Sequence, residues 1–159
     1  MLNTSIVLYN HSVVEIESLI KSLRQSKQVD EMFLIDNSPV RNPDFEKLPA
    51  TYIFNNKNLG YGAAHNIAIR KTIEQDIPFH LVVNPDIEFE SSILEELEDF
   101  MQKNSDVGLL MPKVLYPTGE IQYLCKLLPK PSDLFFRRFL PNTWSQQSNQ
   151  RFELRQSGY

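Results

Sequence analysis

Cysteine is nearly absent from this chain: Cys125 stands alone among 159 residues, so no intramolecular disulfide is open to it. Glycine is scarce too, at five residues, and none is followed by the Lys-Ser/Thr pair that completes a phosphate-binding P-loop. Gly60-x-Gly62 comes near a dinucleotide fingerprint, but Ala63, Ala64 and His65 follow and the third glycine is missing. Apolar runs stop after a handful of residues, far short of the ~20 that span a bilayer. The opening Met1-Leu2-Asn3-Thr4-Ser5 has neither the basic nor the long apolar region of a secretory signal, so the expected compartment is the cytoplasm. Positive charge is not in excess either. Sixteen Lys and Arg face 20 Asp and Glu, a net of -4, which argues against nucleic acid as a partner of the whole chain. His11, His65 and His80 have no Cys or carboxylate at metal-ligand spacing, and no serine sits in the G-x-S-x-G setting of a hydrolase nucleophile.

What is present is the composition of one ordinary globular domain, 42% hydrophobic and 23% charged. A chain of this length buries roughly 70% of its unfolded surface and needs no staple. Charge is uneven along it: residues 126–159 carry a net +4 and the first 125 carry -8. The expected division is therefore an α/β domain over 1–125 and a basic, aromatic extension over 126–159.

Hydrophobic periodicity supplies the elements of that domain. Ser5-Ile6-Val7-Leu8-Tyr9 reads as a first strand ending in the turn-and-cap cluster Asn10-His11-Ser12. Val13, Ile16, Leu19, Ile20 and Leu23 then recur at spacings of three and four, which predicts a helix from about 12 to 27. Met32-Phe33-Leu34-Ile35 is a second strand, residues 39–50 a Pro-punctuated loop, and Thr51-Tyr52-Ile53-Phe54 a third strand. A polar, Gly-containing stretch leads into a helix through Ala64, Ile67 and Ala68 to about Gln75. Phe79-His80-Leu81-Val82-Val83 resembles a strand buried on both faces, with His80 a core or capping residue. Ser92 and Glu95 predict a capping box for a helix whose buried stripe is Ile93, Leu97, Phe100 and Met101. Val107-Gly108-Leu109-Leu110-Met111 is a fifth expected strand, followed by a hairpin around Tyr116-Pro117-Thr118-Gly119 and a strand from Ile121 to Cys125. The alternation predicts a mostly parallel α/β sheet covered by helices.

In such a sheet, ligands sit outside the carboxyl ends of the strands. Here those ends are polar: Tyr9-Asn10-His11, Asp36-Asn37-Ser38, Asn58-Leu59-Gly60 and Asn84-Pro85-Asp86. Any one of them is what a turn needs. The four together read as a nucleotide pocket.

Three segments carry a resemblance. Asn58-Leu59-Gly60-Tyr61-Gly62-Ala63-Ala64-His65-Asn66, the strand ending in Asn84-Pro85-Asp86, and Met111-Pro112-Lys113-Val114-Leu115-Tyr116-Pro117-Thr118-Gly119-Glu120-Ile121-Gln122 resemble glycosyltransferase family 2, in particular its rhamnosyltransferase-like members. The resemblance implies a Rossmann-like GT-A domain over 1–125 that binds a nucleotide-diphosphate sugar for surface polysaccharide synthesis. It implies that Tyr9 and Asn10 line the base pocket, and that Asp36 and Asn37 take the pair of positions where the family often has two aspartates for base recognition. Asn58, Gly60 and Asn66 would border the nucleotide-sugar site. Asn84-Pro85-Asp86 stands at the family's Asp-x-Asp motif, with Asp86 the expected ligand of Mg²⁺ or Mn²⁺. Asn84 would hydrogen-bond the ribose or a metal-bound water, and Glu88 shares its side of an extended chain.

The family's inverting members also need a carboxylate base in a downstream segment, which neither Asp133 nor Glu153 matches. The expectation is accordingly a donor-binding portion, with a sugar or lipid-linked acceptor met elsewhere. Its competitors are a non-catalytic nucleotide or nucleotide-sugar binding module and a receiver-type regulatory domain. The latter wants an acidic pair after the first strand, where this chain has Tyr9-Asn10. Finally, Ser132 to Leu140 sets three Phe and two Leu around Arg137-Arg138, a segment suited to the inner membrane surface, to self-association, or to burial in the protein.

Overall fold

The computed structural model describes residues 1–124. The Cys125 end of the last expected strand, the 126–159 extension and the 132–140 segment lie outside them. Residues Met1–Leu110 form one compact unit, and the chain from Met111 belongs to a second. The first unit runs β1 (Leu2–Leu8), α1 (Val13–Gln25), β2 (Val29–Asp36), a short 3-10 turn (Pro43–Lys47), β3 (Thr51–Phe54), α2 (Tyr61–Glu74), β4 (Phe79–Val83) and α3 (Ile93–Lys103). The strands order as β3-β2-β1-β4, every neighbouring pair parallel. After β1 the chain winds outward through β2 and β3, then crosses back to place β4 on the other side of β1. The reversal opens a switch point between β1 and β4, where the strand-end loops part.

Side-chain alternation divides the core between the two faces of the sheet. On one face Ile6, Leu8, Met32, Leu34 and Val83 pack with Ile16, Leu19, Ile20 and Leu23 of α1, Leu94 of α3 and Phe45 of the 3-10 turn. On the other, Phe33 and Ile35 pack with Ala64 and Ala68 of α2, whose small side chains let that helix approach closely. Each buried Leu or Ile contributes about 1.5–3 kcal/mol. The α2 face is the more polar one, since β1 turns Asn3 and Ser5 toward it, both fully buried.

The N-terminus of α1 carries a capping box. The Glu15 carboxylate accepts the Ser12 backbone N–H at 2.6 Å and the Ser12 hydroxyl at 2.7 Å, and these bonds hold its pKa below the usual carboxylate range. At α3 the expected box does not form. Ser92 has helical dihedrals (φ -62°, ψ -29°), whereas a capping residue must be extended for its side chain to swing back onto the helix. The buried positions of α3 are Leu94 and Glu98, with Ile93 and Leu97 flanking and Phe100 43% exposed, so the helix is rotated from its expected face. Glu98 is buried because its carboxylate pairs with the amino group of Met1.

Two strand expectations are also corrected. β4 is an edge strand of the described sheet, not one buried on both faces, and Val82 is 43% exposed. Its α2-side face is only partly covered, because α2 lies mainly over β1 and β2. Val107 to Met111 forms no strand: it finds no ladder partner among the described residues, Gly108 interrupts it, and Leu109 is left 88% exposed. In the second unit the expected hairpin closes through the antiparallel bridge Leu115↔Ile121 and the Tyr116 N–H to Glu120 carbonyl bond at 2.8 Å. Gly119 takes φ +85° at its tip, a conformation that favours glycine. Ile121 to Leu124 is otherwise not a strand.

Candidate functional site

The parallel register brings three strand ends level, with Leu8 beside Asp36 and Asp36 beside Phe54. Ile6 pairs with Val83, so Asn84 follows directly on the far side of β1. The loops leaving these ends are tied by side chains rather than by apolar packing.

Asp36 is fully buried at the end of β2. Its Oδ1 accepts the Ser38 backbone N–H at 2.9 Å, and its Oδ2 accepts the Tyr52 hydroxyl at 2.6 Å. Burial first, and then this bond to a carboxylate, pushes the Tyr52 phenol up to about 12. The Ser38 hydroxyl in turn accepts the Asn10 backbone N–H at 2.8 Å. Asn10 holds φ +58°, a left-handed position that asparagine tolerates, and this turns the chain after β1 over the end of β2. The Tyr9 ring is 48% exposed beside it.

Asn37 is the hub of the second half of the cluster. Its backbone N–H donates to the Leu8 carbonyl at 2.9 Å, and its Oδ1 accepts Asn55 Nδ2 at 2.9 Å. Its own Nδ2 faces Asn58 Oδ1 at 3.5 Å and the Gly60 carbonyl at 3.4 Å. Asn58 Oδ1 also accepts the Gly60 N–H at 2.9 Å. Gly60, at φ +81°, is the residue through which the loop enters α2. The amide network thus sets where that helix begins and aims its N-terminus at the strand ends.

Tyr61, the first residue of α2, closes the cluster on the β4 side. Its hydroxyl donates to Asn84 Oδ1 at 2.7 Å, and burial together with the Asp86 charge raises its pKa. Its ring stands edge-to-face on His65, centroids 4.3 Å apart. Asp86 and Glu88 are exposed beyond Asn84. Asn66 lies on the exposed side of α2, one helical turn past Gly62.

The structure therefore brings Asn10, Asp36, Asn37, Asn58, Gly60 and Asn84 into one hydrogen-bonded rim, with Tyr9 and Asp86 on its outer edge. Asp36 and Asn37 spend their side chains on Ser38, Tyr52, Asn55 and the Gly60 loop, so they shape the rim from below. The sequence reading gives no site role to Tyr52, Asn55, Tyr61 or His65. A readable trace existed for the last two: an aromatic and a histidine four apart at a helix start share one face.

Among the described residues, no three His, Cys, Asp or Glu are grouped to hold a metal ion, and no helix is long and apolar enough to cross a membrane. An open depression of about 390 Å³ lies at the opposite edge of the sheet, among Leu23, Arg24, Val29 to Met32 and Pro49 to Thr51. It is at the amino ends of β2 and β3, away from the rim.

Among solved structures, the fold is similar to the crystal structure of S. aureus TarS, at a TM-score of 0.50 and 16% identity. The similarity covers 73% of this chain and 24% of that one, so the chain spans about a quarter of the length of that structure. No curated protein matches it. The sequence profile of Glycosyl transferase family 2 matches residues 5–140, which takes in the parallel sheet from Ser5 onward, the rim and the hairpin that follows in sequence, and by that match the chain belongs to glycosyl transferase family 2.

Proposed function

We propose that this chain is the nucleotide-sugar-binding portion of an inverting glycosyltransferase of the rhamnosyltransferase-like kind, serving surface polysaccharide synthesis at the cytoplasmic side of a membrane. The observation that carries the reading is the rim itself, in which Asn37 ties the ends of β1, β2 and β3 to the Gly60 loop and Tyr61 links that loop to Asn84 at the end of β4, across the switch point between β1 and β4. Polar groups held this rigidly lose little freedom when a ligand docks, which favours affinity.

Within this reading each residue has a task. The exposed Tyr9 ring offers a stacking surface for a base next to Asn10. Asp36 and Asn37 fix the loops that border the base and ribose, by the bonds described above. The start of α2, with backbone N–H groups unsatisfied within the helix, lies on the rim where negative charge is favoured. Asn84 and Asp86 face the diphosphate end.

The donor set fits a divalent cation in one mode only. Among the described residues Asp86 belongs to no group of three or more potential metal ligands, which suits Mg²⁺ or Mn²⁺ held by a carboxylate, water and substrate phosphates, but not a site complete in protein alone. When bound, such an ion neutralises charge that develops on a leaving nucleoside diphosphate. The acceptor, a sugar or lipid-linked sugar, belongs to the whole enzyme.

Calorimetry tests the assignment. A nucleoside diphosphate should bind the wild-type chain more tightly with Mn²⁺ than without, Mn²⁺ alone should give no heat, and Asp86→Ala should lose the metal-dependent part only. A mutant that keeps the full metal effect, or saturable Mn²⁺ binding without nucleotide, contradicts it.

A further inference from the structure

A chain of four side chains runs beneath the rim and ends in an unused lone pair. In α2, the Thr72 hydroxyl donates back to the Ala68 carbonyl at 3.2 Å, a common habit of helical threonine. With that proton so committed, the Thr72 oxygen is left to accept at His80 Nδ1, 2.7 Å away, which assigns the His80 proton to Nδ1 by the hydrogen-bond pattern. The bare His80 Nε2 then accepts the Ser5 hydroxyl at 2.7 Å. With its own proton spent, Ser5 Oγ accepts from His65 Nδ1, also at 2.7 Å. His65 is 3% exposed, and its Nε2 is the one buried side-chain nitrogen or oxygen left without a partner among the described residues. Burial holds both imidazoles neutral, down to about 4, with their proximity adding to the effect at His80. Each hydrogen bond in the chain fixes the direction of the next, and no member can reverse alone.

We propose that His65 is a positioning residue: locked by Ser5, His80 and Thr72 in the tautomer with a bare Nε2, it seats the Tyr61 ring and so holds the Tyr61 hydroxyl on Asn84 at the mouth of the site. The ring contact at 4.3 Å and the 2.7 Å bond to Asn84 complete the path from mid-helix to rim. It rests on the reading that Asn84 belongs to the nucleotide-sugar site. An N–H at His65 Nε2 would be a buried donor without a partner, a strain that a shift of the Tyr61 ring packed on His65 would relieve.

The test exploits the polarity of the chain. Thr72→Val keeps the shape but removes the acceptor of His80 Nδ1–H. His80 should change tautomer, the Ser5 hydroxyl should turn, and His65 three links away should move its proton to Nε2. Long-range ¹H–¹⁵N spectra of the imidazoles should show both histidines protonated on Nδ1 in the wild type and in Thr72→Ser, and on Nε2 in Thr72→Val. The Asn84 side-chain amide should shift only in Thr72→Val. Affinity for UDP, dTDP or GDP, each with Mn²⁺, should fall by about fivefold to tenfold in Thr72→Val, as for one neutral hydrogen bond, and recover in Thr72→Ser. In a Tyr61→Phe background the substitution should cost no further affinity. An unchanged His65 tautomer or an unmoved Asn84 amide in Thr72→Val overturns the proposal, as does a full affinity loss that persists with Tyr61→Phe. Should no nucleotide bind the wild type, the tautomer and amide shifts still decide the positioning, and that failure falls on the nucleotide-sugar reading alone.

Discussion

Mild acid should destabilise this protein through two histidines. His65 and His80 are held neutral down to about 4, against 6.5 for a free imidazole, so the unfolded chain binds more protons than the native one across that window. Stability is therefore full above 6.5 and falls with pH down to about 4. By linkage, a group shifted this far loses about 2 kcal/mol at pH 5. We assign that figure to the buried His65 and roughly half of it to the half-buried His80, where solvent screens the charge. Together the loss is about 3 kcal/mol, a large part of the 5–15 kcal/mol that holds an ordinary domain. Urea unfolding followed by far-ultraviolet circular dichroism at pH 7, 6 and 5 measures it. The midpoint should fall steadily with an unchanged slope, and His65→Asn with His80→Asn should flatten the dependence whatever it does to stability at pH 7. A loss under about 1 kcal/mol between pH 7 and 5, or the same loss in the double variant, refutes the reasoning.

Two further outcomes follow from the rim. Tyr52→Phe removes the hydroxyl that Asp36 Oδ2 accepts and leaves a fully buried carboxylate with the Ser38 N–H as its remaining partner; chemical denaturation should show a loss of about 1.5–3 kcal/mol. Gly60 and Gly62 both have open space where a Cβ would stand, but only Gly60 has a positive φ, so Gly60→Ala should cost about 1–2 kcal/mol while Gly62→Ala in the first turn of α2 should cost nothing or stabilise slightly.

Much of the sheet was legible because its signals are local. Thr51 to Phe54 and Phe79 to Val83 stand as strands where their apolar runs begin and end. Val29-Asp30-Glu31 extends β2 backwards through polar residues, because pairing with β1, not hydrophobicity, holds it there. The apolar run from Val107 fails as a strand for the converse reason, having the composition without the partner. α3 departs from its expected face with Leu94 packed in the core and Glu98 paired with the amino group of Met1, 97 residues away, a contact that no window on the helix could reveal. At the rim, the strand-end residues were readable from the rule that parallel sheets bind ligands at their carboxyl ends. Their partners were not: Tyr52 meets Asp36 across 16 residues and Tyr61 meets Asn84 across 23. Of the buried relay, only His80 was singled out, as a core or capping residue inside an apolar run.

The central claim is that nucleotide binds at the rim, and backbone amide shifts under titration locate it directly. On adding a nucleoside diphosphate with Mg²⁺ to the labelled chain, the amides of Tyr9, Asn10, Asp36 to Ser38, Asn58 to Gly62, Asn84 and Asp86 should move together along one saturating curve. Shifts confined to Leu23, Arg24, Val29 to Met32, Ala50 and Thr51, around the depression at the amino ends of the strands, or no saturable shift for any nucleotide, would contradict the account.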